Sequence, residues 1–127
     1  MAKILIIEDD ASLRKKLVSE FTVGGNITLE AGDGETGLAI ALKEHPEAIV
    51  VDFVLPKMHG INVIKRIRAD AWGQNACIAM LSNLSDPEII QEAEKSGVSV
   101  FLTKKDTTPE EVAENVRSMI FKCRGMQ

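Results

Sequence analysis

Ile49-Val50-Val51-Asp52-Phe53-Val54-Leu55-Pro56-Lys57-Met58-His59-Gly60 joins an apolar run to a single carboxylate, with a proline and a glycine at fixed distances beyond it. A short apolar run bounded by turn residues reads as a strand buried on both faces, as in a parallel sheet. Asp52 then stands where the strand leaves the core, at the carboxyl edge where open α/β sheets bind ligands. A second apolar run, Ile4-Leu5-Ile6-Ile7, leads straight into Glu8-Asp9-Asp10. Two buried strands that deliver carboxylates to one edge point to a cation site.

Working outward, strand and helix signals alternate along the whole chain. Strands are expected at 3–7, 27–31, 48–52, 76–81 and 98–102. Helices are expected over about 11–22 behind Asp10 or Ser12, from Gly32-Asp33-Gly34 to Pro46, after Gly60, from Ser85 or Asp86 with Pro87, and from Thr108-Pro109. Trp72-Gly73-Gln74-Asn75 reads as a loop. Five strands alternating with five helices imply a doubly wound, flavodoxin-like α/β fold, a parallel sheet in the order 2-1-3-4-5. Residues 1–127 read as one domain, with no output domain expected after the last helix.

The chain carries a net charge of −4 and a single tryptophan with no tyrosine. That argues against direct nucleic-acid binding, which needs a basic face and stacking platforms. No apolar run approaches the ~20 residues that span a bilayer, and no signal peptide is legible, so neither a membrane role nor export is expected. Cys77 and Cys123 lack metal-ligand spacing and are expected to be free thiols in a reducing, cytoplasmic compartment.

In the 2-1-3-4-5 order the first and third strands are neighbours, so Glu8, Asp9 and Asp52 converge. Three hard oxygen donors suit Mg²⁺, with Mn²⁺ as the alternative. Ser82 and Lys104 follow the fourth and fifth strands and reach the same edge. A carboxylate with a divalent ion, a hydroxyl and an ammonium around it forms a phosphoryl-binding set, with Asp52 as the nucleophile.

This constellation (Glu8-Asp9, Asp52 with Pro56 and Gly60, Ser82, Lys104) resembles the receiver domain of bacterial two-component response regulators, over essentially the whole chain. The resemblance implies that Asp52 accepts a phosphoryl group from a sensor histidine kinase or a phosphotransfer protein. It also implies that the Val54 carbonyl joins Glu8, Asp9 and Asp52 around Mg²⁺, that Lys104 contacts the phosphate, and that Ser82 and Phe101 act as switch residues. The surface of the fourth helix, fifth strand and fifth helix would then dock a downstream protein or a second copy of the chain. No enzyme activity is expected beyond self-catalysed phosphotransfer and a slow self-dephosphorylation, since Val54 and Leu84 beside the site are apolar.

Three positions depart from the family's commonest pattern. Lys105 stands in place of a proline, and a cis bond to a non-proline residue costs about 3 kcal/mol, so the 104–105 peptide is expected to be trans, or else the loop is strained to keep Lys104 in place. Ser82 replaces a threonine and Phe101 a tyrosine. Two rival readings remain. One is a receiver-like interaction module that never uses phosphate, against which the full set of carboxylates counts. The other is a nucleotide site at Gly32-Asp33-Gly34-Glu35-Thr36-Gly37, a literal G-x-G-x-x-G between a strand and a helix. Asp33 and Glu35 oppose the second reading, because they place negative charge where a pyrophosphate would sit.

Overall fold

A computed structural model describes residues 2–125; Met1, Met126 and Gln127 lie outside that range. The elements run β1 (Lys3–Ile7), α1 (Ala11–Val23), β2 (Ile27–Ala31), α2 (Gly34–Glu44), β3 (Ala48–Asp52), α3 (Gly60–Ala69), β4 (Cys77–Ser82), α4 (Pro87–Lys95), β5 (Val100–Thr103) and α5 (Pro109–Cys123). Every strand pairing is parallel, in the order β2-β1-β3-β4-β5. The fold expected from the alternation is the one formed.

Strand parity sorts the core into two layers, because successive side chains point to opposite faces. Ile4, Ile6, Ala48, Val50, Cys77, Ala79 and Leu81 pack with α1 and α5 through Leu17, Phe21, Val112, Val116 and Met119. Leu5, Ile7, Ile49, Val51, Ile78 and Met80 pack with α2, α3 and α4 through Leu38, Ala41, Ile61, Ile64, Ile67 and Ala93. β3 and β4 are buried along their whole length, whereas β5 at the sheet's edge is only half-buried.

Local signals explain where the helices start. Asp10 caps α1, accepting from the Ser12 and Leu13 amides at 3.0 and 3.2 Å, which settles the choice between Asp10 and Ser12. Thr108 and Glu111 form a reciprocal capping box on α5. The loop at Trp72–Asn75 is a single 3₁₀ turn. Arg68 on α3 holds it in place, donating from Nη1 to the Gly73 and Ala76 carbonyls and from Nη2 to the Gly97 carbonyl beyond α4. His45 closes α2 in the left-handed region, at φ 47°, with its ring stacked on Trp72 at 4.6 Å. Stacking on Trp72 secures it at the helix end.

The expectation of two free thiols is overturned. Cys77 at the start of β4 and Cys123 in the last turn of α5 form a disulfide, with Cα atoms 6.2 Å apart. The reason is geometric: Cys77 belongs to the strand face that α5 covers, and α5 is long enough to carry Cys123 back to the start of β4. The thiol argument for a reducing compartment falls with it. Among the described residues no helix is long and apolar enough to cross a membrane.

Candidate functional site: an acidic pocket at the carboxyl edge of the sheet

β1 and β3 end side by side, with Ile7 level with Val51, so Glu8 and Asp52 emerge as neighbours. Both are buried, at 1% and 5% exposure, while Asp9 is exposed. The Asp10 amide donates to Glu8 Oε2 at 3.1 Å, and the Val54 amide reaches Asp52 Oδ1 at 3.4 Å. Oxygens of Glu8, Asp9 and Asp52 lie within 4.8 Å of one another.

Lys104, from the turn after β5, bridges the two buried carboxylates. Its ammonium donates to Asp52 Oδ2 at 2.7 Å and lies 2.7 Å from Glu8 Oε1. The second approach is an ion pair without hydrogen-bond alignment, so Glu8 Oε1 is a buried oxygen with no hydrogen-bond donor. Burial pushes the Glu8 carboxyl up to about 7 against the pull of Lys104 and the Asp10 amide, and the Asp52 charge adds to the rise. Burial also works against the Lys104 ammonium, but the carboxylates of Asp52 and Glu8 prevail and hold its pKa above the ordinary lysine range. Three carboxylates that have one ammonium among them and offer only hard oxygen donors fit a divalent cation.

Ser82 ends β4 level with Thr103 of β5 and is buried, at 1% exposure. Its Oγ accepts from the Leu84 amide at 2.9 Å and, among the described residues, has no hydrogen bond to Asp52 or Lys104. Phe101 stands opposite Met80 on the α4 side of the sheet, half-buried against that layer. The side chains of Val54 and Leu84 are exposed beside the pocket. There is no cis peptide bond among the described residues, so Lys104–Lys105 is trans; a 3₁₀ turn over Lys104–Asp106 still brings the ammonium to Asp52.

The loop after Asp52 is braced from two sides. The Pro56 carbonyl accepts from the Met58 amide at 2.7 Å and from the Gly34 amide at 3.1 Å, with Lys57 between them at φ 68°. A Cβ on Gly60 would lie 2.2 Å from the Asp52 carbonyl oxygen, so only glycine lets α3 start against the end of β3. A Cβ on Gly34 would lie 2.0 Å from the Met58 carbonyl oxygen. Gly37 is likewise pressed against the Ile7 side chain. The second and third glycines of the G-x-G-x-x-G match, Gly34 and Gly37, therefore serve packing. Asp33 caps α2 through the Thr36 amide and hydroxyl, which hold its carboxyl below its usual range, and this leaves a fixed anion in the loop.

Sequence reasoning missed two supports of the pocket. Arg14, in the first turns of α1, donates to the Glu8 carbonyl at 2.6 Å and to Glu30 at 3.2 Å. A basic residue one turn beyond an acidic strand end was the available signal. The other support is Gly34, which in sequence reads only as part of the glycine turn that opens the second helix.

The chain matches the response regulator receiver domain over residues 4–117. It is 35% identical over 108 residues to the chemotaxis protein CheY-3 of Vibrio cholerae, covering 83% of this chain and 82% of that protein. It is 32% identical over 118 residues to a probable transcriptional regulator, ycf27, of Porphyridium aerugineum, covering 93% of this chain and 48% of that protein. The chain spans about half the length of the ycf27-type regulators it matches. Among solved structures, chemotaxis response regulator CheY4 of Vibrio cholerae superposes with a TM-score of 0.87 at 28% identity, over 94% of this chain and 98% of that one. A CheY-like receiver domain protein from Methanospirillum hungatei shares the fold alone, with a TM-score of 0.90 at 18% identity over 98% of each chain. With the pocket, the fold and the sequence match in agreement, the chain belongs to the response regulator receiver domain family.

Proposed function

We propose that this receiver takes a phosphoryl group onto Asp52 from a phosphohistidine of a sensor histidine kinase or phosphotransfer protein, and that the phosphate alters the surface of α4, β5 and α5. The observation that carries the reading is the Lys104 ammonium, held between buried Asp52 and buried Glu8. A lysine in that position neutralises one carboxylate and is poised to follow new negative charge on the other. Asp52 Oδ2 is engaged by Lys104, and Oδ1 carries only the long contact from Val54, which leaves Oδ1 the freer nucleophile. In the transfer the histidine N–P bond breaks, an O–P bond forms at the Asp52 carboxylate, and the freed histidine nitrogen keeps the electron pair of the broken bond and takes a proton.

Glu8, Asp9, Asp52 and the Val54 carbonyl would hold Mg²⁺, which when bound supplies positive charge to offset that of the phosphoryl oxygens. Lys104 adds a second positive charge from its place between Asp52 and Glu8. Ser82, whose hydroxyl proton is free while Oγ accepts from Leu84, can donate to a phosphate oxygen and draw the loop after β4 inward. Phe101, half-buried and with no hydroxyl to hold it outward, then moves toward the space that loop leaves. A downstream protein or a second copy of the chain reads the resulting surface.

Beryllofluoride with Mg²⁺, followed by amide chemical shifts, tests the reading. The expected result is perturbation at 52–54, 82–85 and 101–105, abolished in Asp52→Asn. No change around Asp52, while a protein partner still binds, would instead favour a phosphate-independent module.

A further inference from the structure

The Cys77–Cys123 disulfide lies at the edge of the sheet opposite the acidic pocket, and phosphotransfer makes no use of it. Its two sulfurs have unequal surroundings. Cys77 is buried, at 3% exposure, among the residues beneath α5. Cys123 is exposed in the last turn of α5. It lines a cleft of about 300 Å³ with Ser99, Val100, Asn115 and Lys122, and a second of about 490 Å³ with His45 and Trp72, which Cys77 also borders. A thiolate therefore meets the exposed Cys123 more readily than the buried Cys77.

We propose that this bond is a thiol–disulfide exchange site specific for dithiols, opened at Cys123, which releases the last turn of α5 and leaves the phosphoacceptor pocket intact. A thiolate of the dithiol attacks Cys123 Sγ. The S–S bond breaks, and its electron pair goes to Cys77 Sγ, which takes a proton. The second thiolate of the dithiol attacks its own sulfur in the mixed disulfide, and Cys123 leaves and is protonated. The chain gains two thiols and the dithiol becomes a disulfide.

Specificity follows from the leaving group. Cys77 departs as an anion in apolar surroundings, which slows the first step. Once freed, it lies beside the mixed disulfide and reverses the reaction. A monothiol adduct at Cys123 therefore collapses back, whereas a dithiol resolves it faster than Cys77 can return. The consequence is local. β4 separates Cys77 from Ser82 by about 16 Å, and the inner stripe of α5 stays packed through Val112, Val116 and Met119. The released segment is the end of α5, which borders the edge strand β5 through the cleft at Ser99 and Val100.

The test uses the full chain, air-oxidised and never unfolded. Mass spectrometry after alkylation should find no free thiol, two free thiols after dithiothreitol in native buffer, and none after glutathione at equal thiol concentration. Cys77→Ala, treated with oxidised glutathione, should exchange at Cys123, release one glutathione thiol and hold a stable glutathione adduct. Reduction should speed amide exchange over 120–123 by about tenfold or more and leave the beryllofluoride response at 52–54 unchanged. Cys123→Ser, an exposed substitution that does not disturb the core, should match the reduced chain. Two alkylatable thiols in the oxidised native chain would overturn the proposal. So would a bond that opens only in urea, equal reduction by glutathione, or identical amide exchange in the two states.

Discussion

Glu8 is where the metal-binding role proposed above conflicts with the stability of the fold. Its carboxyl is held at about 7 in the folded chain, against an ordinary value of 4.5. A raised carboxyl keeps its proton longer in the fold than in the unfolded chain. Between those values the folded state binds more protons, so this group's stabilisation is complete below about 4.5 and is lost as pH rises through 7. Without divalent metal, melting temperature should therefore fall from pH 5 to pH 8 more steeply in the parent than in Glu8→Gln, and excess Mg²⁺ should restore much of the parent's loss at pH 8. Equal slopes in calorimetry would contradict this. Leu84 governs a different quantity. Apolar Val54 and Leu84 flank the pocket and cannot orient water, so Leu84→Gln should shorten the life of the phosphorylated form. Lowering the barrier by 1.4 kcal/mol corresponds to about tenfold, measured as phosphate release. The carboxylates, Ser82 and Lys104 were legible because each ends an apolar strand, where chemistry and pattern coincide. Arg14 was not, because its partner is the Glu8 backbone carbonyl, which leaves no mark on side-chain pattern.

Among the elements, the loop from Asp52 to Gly60 depends on a neighbour that its own sequence does not reveal. The Gly34 amide bonds Pro56, and the Gly34 Cα sits where a methyl group would strike Met58. Gly34→Ala should cost about 1–3 kcal/mol as an overpacked contact, read as a lower urea midpoint, with shift changes in 56–60 as well as in α2. Thr108→Ala removes one half of a capping box and should cost about 1 kcal/mol, with α5 amides exchanging faster. These two cases mark a boundary in what the sequence reveals. The Thr108-Pro109-Glu110-Glu111 cap is local and could be read directly. The role of the glycines depends on contacts between segments distant in sequence, which is why a nucleotide fingerprint could arise by chance. β4 and β5 were each displaced by one or two residues, since hydrogen-bonded pairing sets their ends and hydrophobicity does not.

For the whole molecule, the disulfide closes a loop between residues 46 apart in sequence. Constraint of the unfolded chain across such a loop is worth about 4 kcal/mol in the chain-entropy account, or about 10–15 °C in melting temperature for a domain of this size. Cys123→Ser should melt lower by that order under oxidising conditions and by little once both chains are reduced. The pairing was within reach of the sequence. Parity puts Cys77 on the face α5 covers, and fifteen helical residues return Cys123 to the start of β4. Averages over cellular compartments carry no information about that distance. Arg68 ties α3, the Trp72 turn and the carbonyl of Gly97 together, so α4 is fastened at its C-terminal end. Its N-terminal end has no such fastening: Asp86 makes no side-chain cap and residues 83–88 are exposed. A helix held at one end moves as a lever, with displacement growing toward its free end. A protein that reads α4 should therefore discriminate most sharply through Glu88 and Ile89 and least through Lys95, however the lever is thrown.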